Sequence, residues 1–167
     1  IAFSDLHLGE YSKFNEDNKR TLNHIRVLYL IKDLCIKYKC PAFFCGDFMH
    51  RPEFISTSLD EIIIEQFEEL NRCEEFNIYG ISGNHDLQKS NTIERRSSSH
   101  WANLCRRYSF LHNIDFSYHD FGKFRVVGIP YIDHNKGLDS LIKAELKGAM
   151  LKPTILLLHT DYPGAKD

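Results

Sequence analysis

At 167 residues the chain has room for one domain with a sizeable core. Apolar residues at 43% and charged residues at 26% exclude a disordered tail, and the longest apolar run, Val27 to Ile31, is too short to span a bilayer. A net charge of −2 gives no sign of a polyanionic partner, and five cysteines without a CxxC pair argue for a reducing compartment over a disulfide scaffold.

Ile1 to Ser4 predicts a short buried strand. Residues 18–39 carry apolar side chains at Leu22, Ile25, Tyr29, Leu34 and Tyr38, mostly three or four apart, which predicts a helix stopped by Pro41. Ala42 to Cys45 reads as a second buried strand ending at Gly46. Pro52 and Ser56-Thr57-Ser58 mark a loop, and Ser58-x-x-Glu61 has the form of a capping box for a helix to about Glu75. Phe76 to Ser82 predicts a third strand, ending at Gly83. The polar residues 87–100 read as a loop or short irregular helix. Residues 115–129 predict a hairpin whose turn holds Asp120 and Gly122. Residues 137–150 predict a modest helix, and Thr154 to Leu158 a last strand. Alternating strands and helices predict a layered α/β domain whose all-apolar strands are covered on both faces. No basic-then-apolar leader is visible, so an intracellular location with no membrane partner is expected.

Charge is unevenly spread. Residues 53–77 carry eight acids against Arg72, and residues 87–107 carry five bases against Glu94. The plain reading is two solvated faces. Nine histidines make metal or proton chemistry worth seeking.

The chemistry-bearing residues cluster just past the ends of the buried strands. Asp5-Leu6-His7 comes after the first, Asp47 after the second, Asn84-His85-Asp86 after the third and His159 after the last. Ligands of open α/β sheets sit outside the carboxyl ends of the strands. Four ends therefore deliver hard or borderline metal ligands to one rim. In Asp5-x-His7 the two side chains point the same way, so a carboxylate and an imidazole can grip one cation. Asp47, alone at its strand end, is the natural bridging group between two ions. Two divalent ions roughly 3.5–4 Å apart could clamp both oxygens of an in-line phosphate displacement and generate hydroxide at neutral pH. Taken singly, Asp5 or Asp47 would be an ordinary cap, His159 a core histidine and Asn84 a turn residue.

Asp5-x-His7, Gly46-Asp47, Gly83-Asn84-His85-Asp86 and His159 together resemble the calcineurin-like metallophosphoesterase family. The resemblance implies a four-layer α-β-β-α sandwich over the whole chain and a dinuclear metal centre. His50, three residues after Asp47 with Pro52 soon after, resembles the SbcD-type branch, the nuclease subunits of double-strand-break repair complexes. Ser4 to Gly9 and Gly128-Ile129-Pro130-Tyr131 are also similar to that branch. The resemblance implies one ion on Asp5, His7 and Asp47 and a second on Asp47, Asn84 and His159. Manganese is the implied metal; ligand chemistry also admits zinc or iron. His85 would protonate the leaving 3′ oxygen, His50 would position the phosphate, and Asp86 would orient an imidazole.

The family completes its centre with a Gly-His-x-His motif, and no His-x-His occurs in these 167 residues. The expectation is a single nuclease domain over residues 1–167, truncated at the C-terminus and incomplete at both ends. The implied partners are DNA, an SMC-like ATPase of the SbcC type and a second copy of the chain. The dimer contact would involve Leu59, Ile62 or Ile63, with Ile93; burial between layers is the plainer reading of that isoleucine run. Arg95 and Arg96 would touch DNA phosphates or lie in a solvated loop. The leading expectation is a metal-dependent nuclease that removes nucleotides from a 3′ end, with possible endonuclease activity. Alternatives are a phosphodiesterase or phosphatase for a small nucleotide or phosphoprotein, and a non-catalytic scaffold.

Overall fold

The computed structural model describes residues 1–9, 19–50, 56–87, 99–132, 138–147 and 152–160. Arg95, Arg96 and Ile93 lie outside them. The elements run β1 (Ala2–Phe3), α1 (Lys19–Tyr38), β2 (Ala42–Phe44), α2 (Thr57–Asn71), β3 (Ile78–Gly80), α3 (His100–Arg107), β4 (Leu111–Asn113), β5 (Ser117–Asp120), β6 (Arg125–Ile129), α4 (Leu138–Glu145) and β7 (Thr154–Leu158). β1 to β4 form a parallel sheet in chain order. Each parallel step needs a crossover, and α1, α2 and α3 supply them. In the second sheet β5 and β6 form the predicted hairpin, closed by Gly122 N donating to Asp120 Oδ1 (2.7 Å), and β7 returns parallel to β6 through α4.

The period of two along the strands divides the first sheet between two cores. Ala42, Phe44 and Ile78 face the helices with Leu28, Phe67 and Trp101, all fully or nearly fully buried. Phe43, Ile81 and Ile114 face the second sheet, where Val126 and Leu157 meet them. Val127 and Ile129 alternate onto the outer side of that sheet and are also buried. The layered α/β arrangement expected from sequence is the one observed.

Several local expectations change. In α1 the buried residues are Thr21, Ile25, Leu28, Ile31 and Cys35, whereas Tyr38 is 62% exposed. The helix is apolar around much of its circumference, so spacing alone does not select the stripe that packs. α2 is capped by Ser56, which accepts from Leu59 N (3.4 Å), so Ser58 lies inside the helix instead of opening a capping box. Its acids Asp60, Glu61, Glu65, Glu68 and Glu69 are exposed, a solvated face as the plain reading held. Leu59 and Ile63 are buried and Ile62 packs partly against the same core, so these side chains serve the layers of the chain itself.

α3 and β4 have no counterpart among the predicted elements. β4 is three residues long, too short for a period to register. α3 buries Trp101 and Ala102 and packs Leu104 and Cys105 partly against the same core; Ser99 caps its start, and Trp101 Nε1 donates to the Gly80 carbonyl at the end of β3 (3.0 Å).

Candidate metal centre

The loops leaving β1 and β2 run side by side. Asp5 N donates to Gly46 O (3.0 Å), His7 N to Asp47 O (3.0 Å), Leu8 N to Phe48 O (2.8 Å) and His50 N to Leu8 O (2.8 Å). These bonds continue the sheet beyond its strands and fix two ligand-bearing segments in register. The backbone there is strained: Asp5 (φ 56°), His7 (φ 46°) and Asp47 (φ 63°) all take the left-handed conformation. Such outliers in non-glycine residues persist only where surrounding bonds enforce them, and they mark functional sites.

Asp86 supplies much of that enforcement. Its carboxylate is buried and accepts four backbone N–H groups, from Gly83 (2.8 Å), Asp47 (3.0 Å), Phe48 (2.9 Å) and Met49 (3.0 Å). Sequence reasoning gave Asp86 an imidazole to orient; the structure gives it the Asp47 loop. Burial raises its pKa to about 6, against the opposing pull of those N–H groups.

Asp47 stands where two clusters meet. Its Oδ2 lies 3.7 Å from His7 Nε2, and its Oδ1 lies 3.6 Å from His159 Nε2. Asp5 Oδ1 is 3.5 Å from the same His7 nitrogen, and Asp5, His7 and Asp47 bring donor atoms within 4.8 Å of one another. Ser4 donates its hydroxyl to the other Asp5 oxygen. Asn84 Oδ1 sits 2.9 Å from His159 Nε2. One carboxylate thus lies against both halves of the site, and Asp5, His7, Asp47, Asn84 and His159 gather at the strand ends.

A hydrogen-bond count tests whether these residues fit a cation. His159 Nδ1 faces the Cys45 carbonyl at 2.7 Å, and a carbonyl only accepts, so the ring proton of a neutral His159 is on Nδ1. Nε2 then presents a lone pair to Asn84 Oδ1 and Asp47 Oδ1, two further acceptors. Three converging acceptors without a proton among them suit a metal ion, with the second ring nitrogen anchored to backbone as metal-binding imidazoles usually are. Two glycines leave the required room. A Cβ on Gly83 would stand 2.1 Å from Asp47 Oδ1, and one on Gly46 (φ +103°) would stand 2.4 Å from His159 Nδ1.

His50 and His85 flank the first half. Their rings stack 5.6 Å apart at 15°, and the His7 ring meets them edge-on at 5.6 and 4.8 Å. His85 Nδ1 donates to the His50 carbonyl (2.9 Å), and His85 N donates to Asp47 Oδ1 (2.9 Å). The other half opens on a cleft of about 450 Å³ lined by Ser4, Asp5, Cys45, Asn84, Tyr131 and His159 among others. Tyr131, held by its N–H to Ser82 O (2.9 Å), turns its ring edge-on to His159 at 6.2 Å. Sequence reasoning gave Tyr131 no role at the site and missed the carbonyls of Cys45 and His50, since main-chain acceptors have no residue-type signal. A larger hollow of about 680 Å³ lies against β4 and β5, and its lining residues include no carboxylate.

A family model described as calcineurin-like phosphoesterase matches residues 1–165 of the chain. No curated protein matches it.

Proposed function

The chain belongs to the calcineurin-like phosphoesterase family, and we propose that within it this protein is a DNA nuclease subunit of double-strand-break repair or recombination. Metal-dependent phosphoester hydrolysis is the activity its family and its His/Asp cluster support. The nuclease reading rests on one observation above the rest: His50 stacks on His85 beside the Asp47 bridge. His50 is the residue that the resemblance to the SbcD-type branch singles out, and it stands against the imidazole proposed as proton donor.

Asp5, His7 and Asp47 would hold one divalent ion, and Asp47, Asn84 and His159 the other. Manganese is the proposed metal. Bound there, such ions neutralise phosphate charge and lower the pKa of water toward 7. The chain's own groups do the rest. His85, anchored through Nδ1 to the His50 carbonyl, keeps Nε2 for the proton that the leaving 3′ oxygen must receive. His50 would position the phosphate or stabilise charge on its equatorial oxygens. DNA, an SbcC-type ATPase and a second copy of the chain complete the proposed assembly, and Arg95 and Arg96 are its proposed phosphate contacts.

The test is Mn²⁺-dependent digestion of a linear duplex labelled at its 3′ end, using the full-length protein. Release of 3′ nucleotides, lowered about 10²–10⁴-fold in His85→Ala, supports the proposal. Turnover of small phosphodiesters without attack on DNA would replace it with a small-nucleotide phosphodiesterase.

A further inference from the structure

His7, His50 and His85 bring ring nitrogens within 4.8 Å of one another, a second cluster that shares His7 with the Asp5–Asp47 pair. We propose that these three imidazoles form a separate zinc site whose occupation competes with the carboxylate-bearing half of the metal centre.

The donor chemistry differs between the two clusters. Asp5, His7 and Asp47 offer two carboxylates and one imidazole, a set that suits Mn²⁺ or Mg²⁺. The triad offers nitrogen alone, which favours Zn²⁺ among common cellular divalent ions. Its geometry is also suitable. One ligand nitrogen from each ring lies within 4.8 Å of the other two, and the His7 ring meets the other rings edge-on, at 78° and 88°. His85 is tautomerically set for ligation: with its proton committed to the His50 carbonyl at 2.9 Å, Nε2 carries the lone pair. All three side chains are only partly buried, so an ion can enter without unfolding the core.

A neutral imidazole offers one lone pair, so His7 cannot serve both clusters at once. Zinc on the triad therefore removes a ligand from the Mn²⁺ half, and Mn²⁺ there removes one from zinc. By linkage each ion must weaken the other by the same factor. The binding claim does not depend on the proposed nuclease reading. Its consequence does: zinc would occupy His85 Nε2, the nitrogen assigned to proton donation, and so inhibit hydrolysis.

The experiment titrates Zn²⁺ and Mn²⁺ separately, then against each other, into the full-length protein and its His50→Ala, His50→Gln and Asp47→Asn variants. Zn²⁺ is followed by competition with a chromophoric chelator and Mn²⁺ by its electron paramagnetic resonance signal. Both His50 variants should lose Zn²⁺ affinity by on the order of 100-fold while keeping Mn²⁺ affinity. Asp47→Asn should lose Mn²⁺ and keep the triad's Zn²⁺. Zn²⁺ affinity unchanged in either folded His50 variant would overturn the proposal, as would Zn²⁺ loss confined to Asp47→Asn. Absent DNA digestion with the binding pattern intact would remove the nuclease reading and leave this one standing.

Discussion

Asp47 does its work through neighbours that leave it no freedom. Its backbone is left-handed, its N–H is held by Asp86, and its carboxylate lies between His7 and His159. Gly83 matters because of what it lacks. A methyl there would stand 2.1 Å from Asp47 Oδ1 and 2.3 Å from Asp47 N, distances no side chain tolerates. Gly83→Ala should therefore push the Asp47 loop out of register. The expected outcome is a folded protein, destabilised by about 1–3 kcal/mol, that binds Mn²⁺ at least tenfold more weakly by calorimetric titration. Wild-type affinity in that variant would show that the loop shifts without cost and that the cradle is not specific.

At the scale of elements, α1 ends on a device that sequence patterning does not reveal. Cys40 N bonds Cys35 O (3.1 Å) and Lys39 N bonds Ile36 O (3.3 Å), the paired bonds of a Schellman cap, with Pro41 immediately beyond. Lys39 occupies the left-handed position (φ 49°) that glycine usually fills. A left-handed non-glycine residue costs roughly 1–2 kcal/mol. Lys39→Gly should recover about 1 kcal/mol and raise Tm by roughly 2–4 °C in a thermal melt. A lower Tm would mean that the Lys39 side chain makes contacts worth more than the strain.

β4 carries a pH-dependent contact. His112 stacks on Tyr79 at 4.4 Å, with its Nε2 2.8 Å from Asn77 Oδ1. Burial, helped by the nearby His119, lowers its pKa from 6.5. The folded chain thus resists a proton that the unfolded chain accepts. The stabilising contribution is full above pH 6.5 and is lost as pH falls through that value toward the lowered one. Urea unfolding between pH 7.5 and 5 should show stability declining with acid, and His112→Gln should flatten the decline. An equally steep loss in the variant would assign the effect to other histidines, His24 first, since burial lowers its pKa too.

The whole molecule couples its core to its rim. The parallel sheet is held by the helical core on one side and the second sheet on the other, and every proposed ligand leaves a strand end. An ion that binds only the folded arrangement must then stabilise the entire fold. At free Mn²⁺ a hundredfold above its dissociation constant the gain is about 2.7 kcal/mol, or roughly 5–10 °C in Tm. A chelator should reverse the shift, and Asp47→Asn should lack it. Equal shifts in both proteins would place the Mn²⁺ elsewhere. Among the described residues no helix is long and apolar enough to cross a membrane.

Apart from α3 and β4, the order of strands and helices was legible in the sequence, as were the α/β class and the identity of residues at the rim. Apolar runs bounded by glycine, and polar residues placed just after them, are local signals that survive without coordinates. Only the tertiary structure decided which face of α1 packs, since several stripes were apolar enough. It alone revealed α3 and β4, whose stability comes from contacts far along the chain. It also turned Asp86 from a partner of imidazole into the anchor of the Asp47 loop, and joined His7 to both His50 and Asp47. Those assignments depend on distances between residues some forty positions apart, and only the packed chain sets such distances.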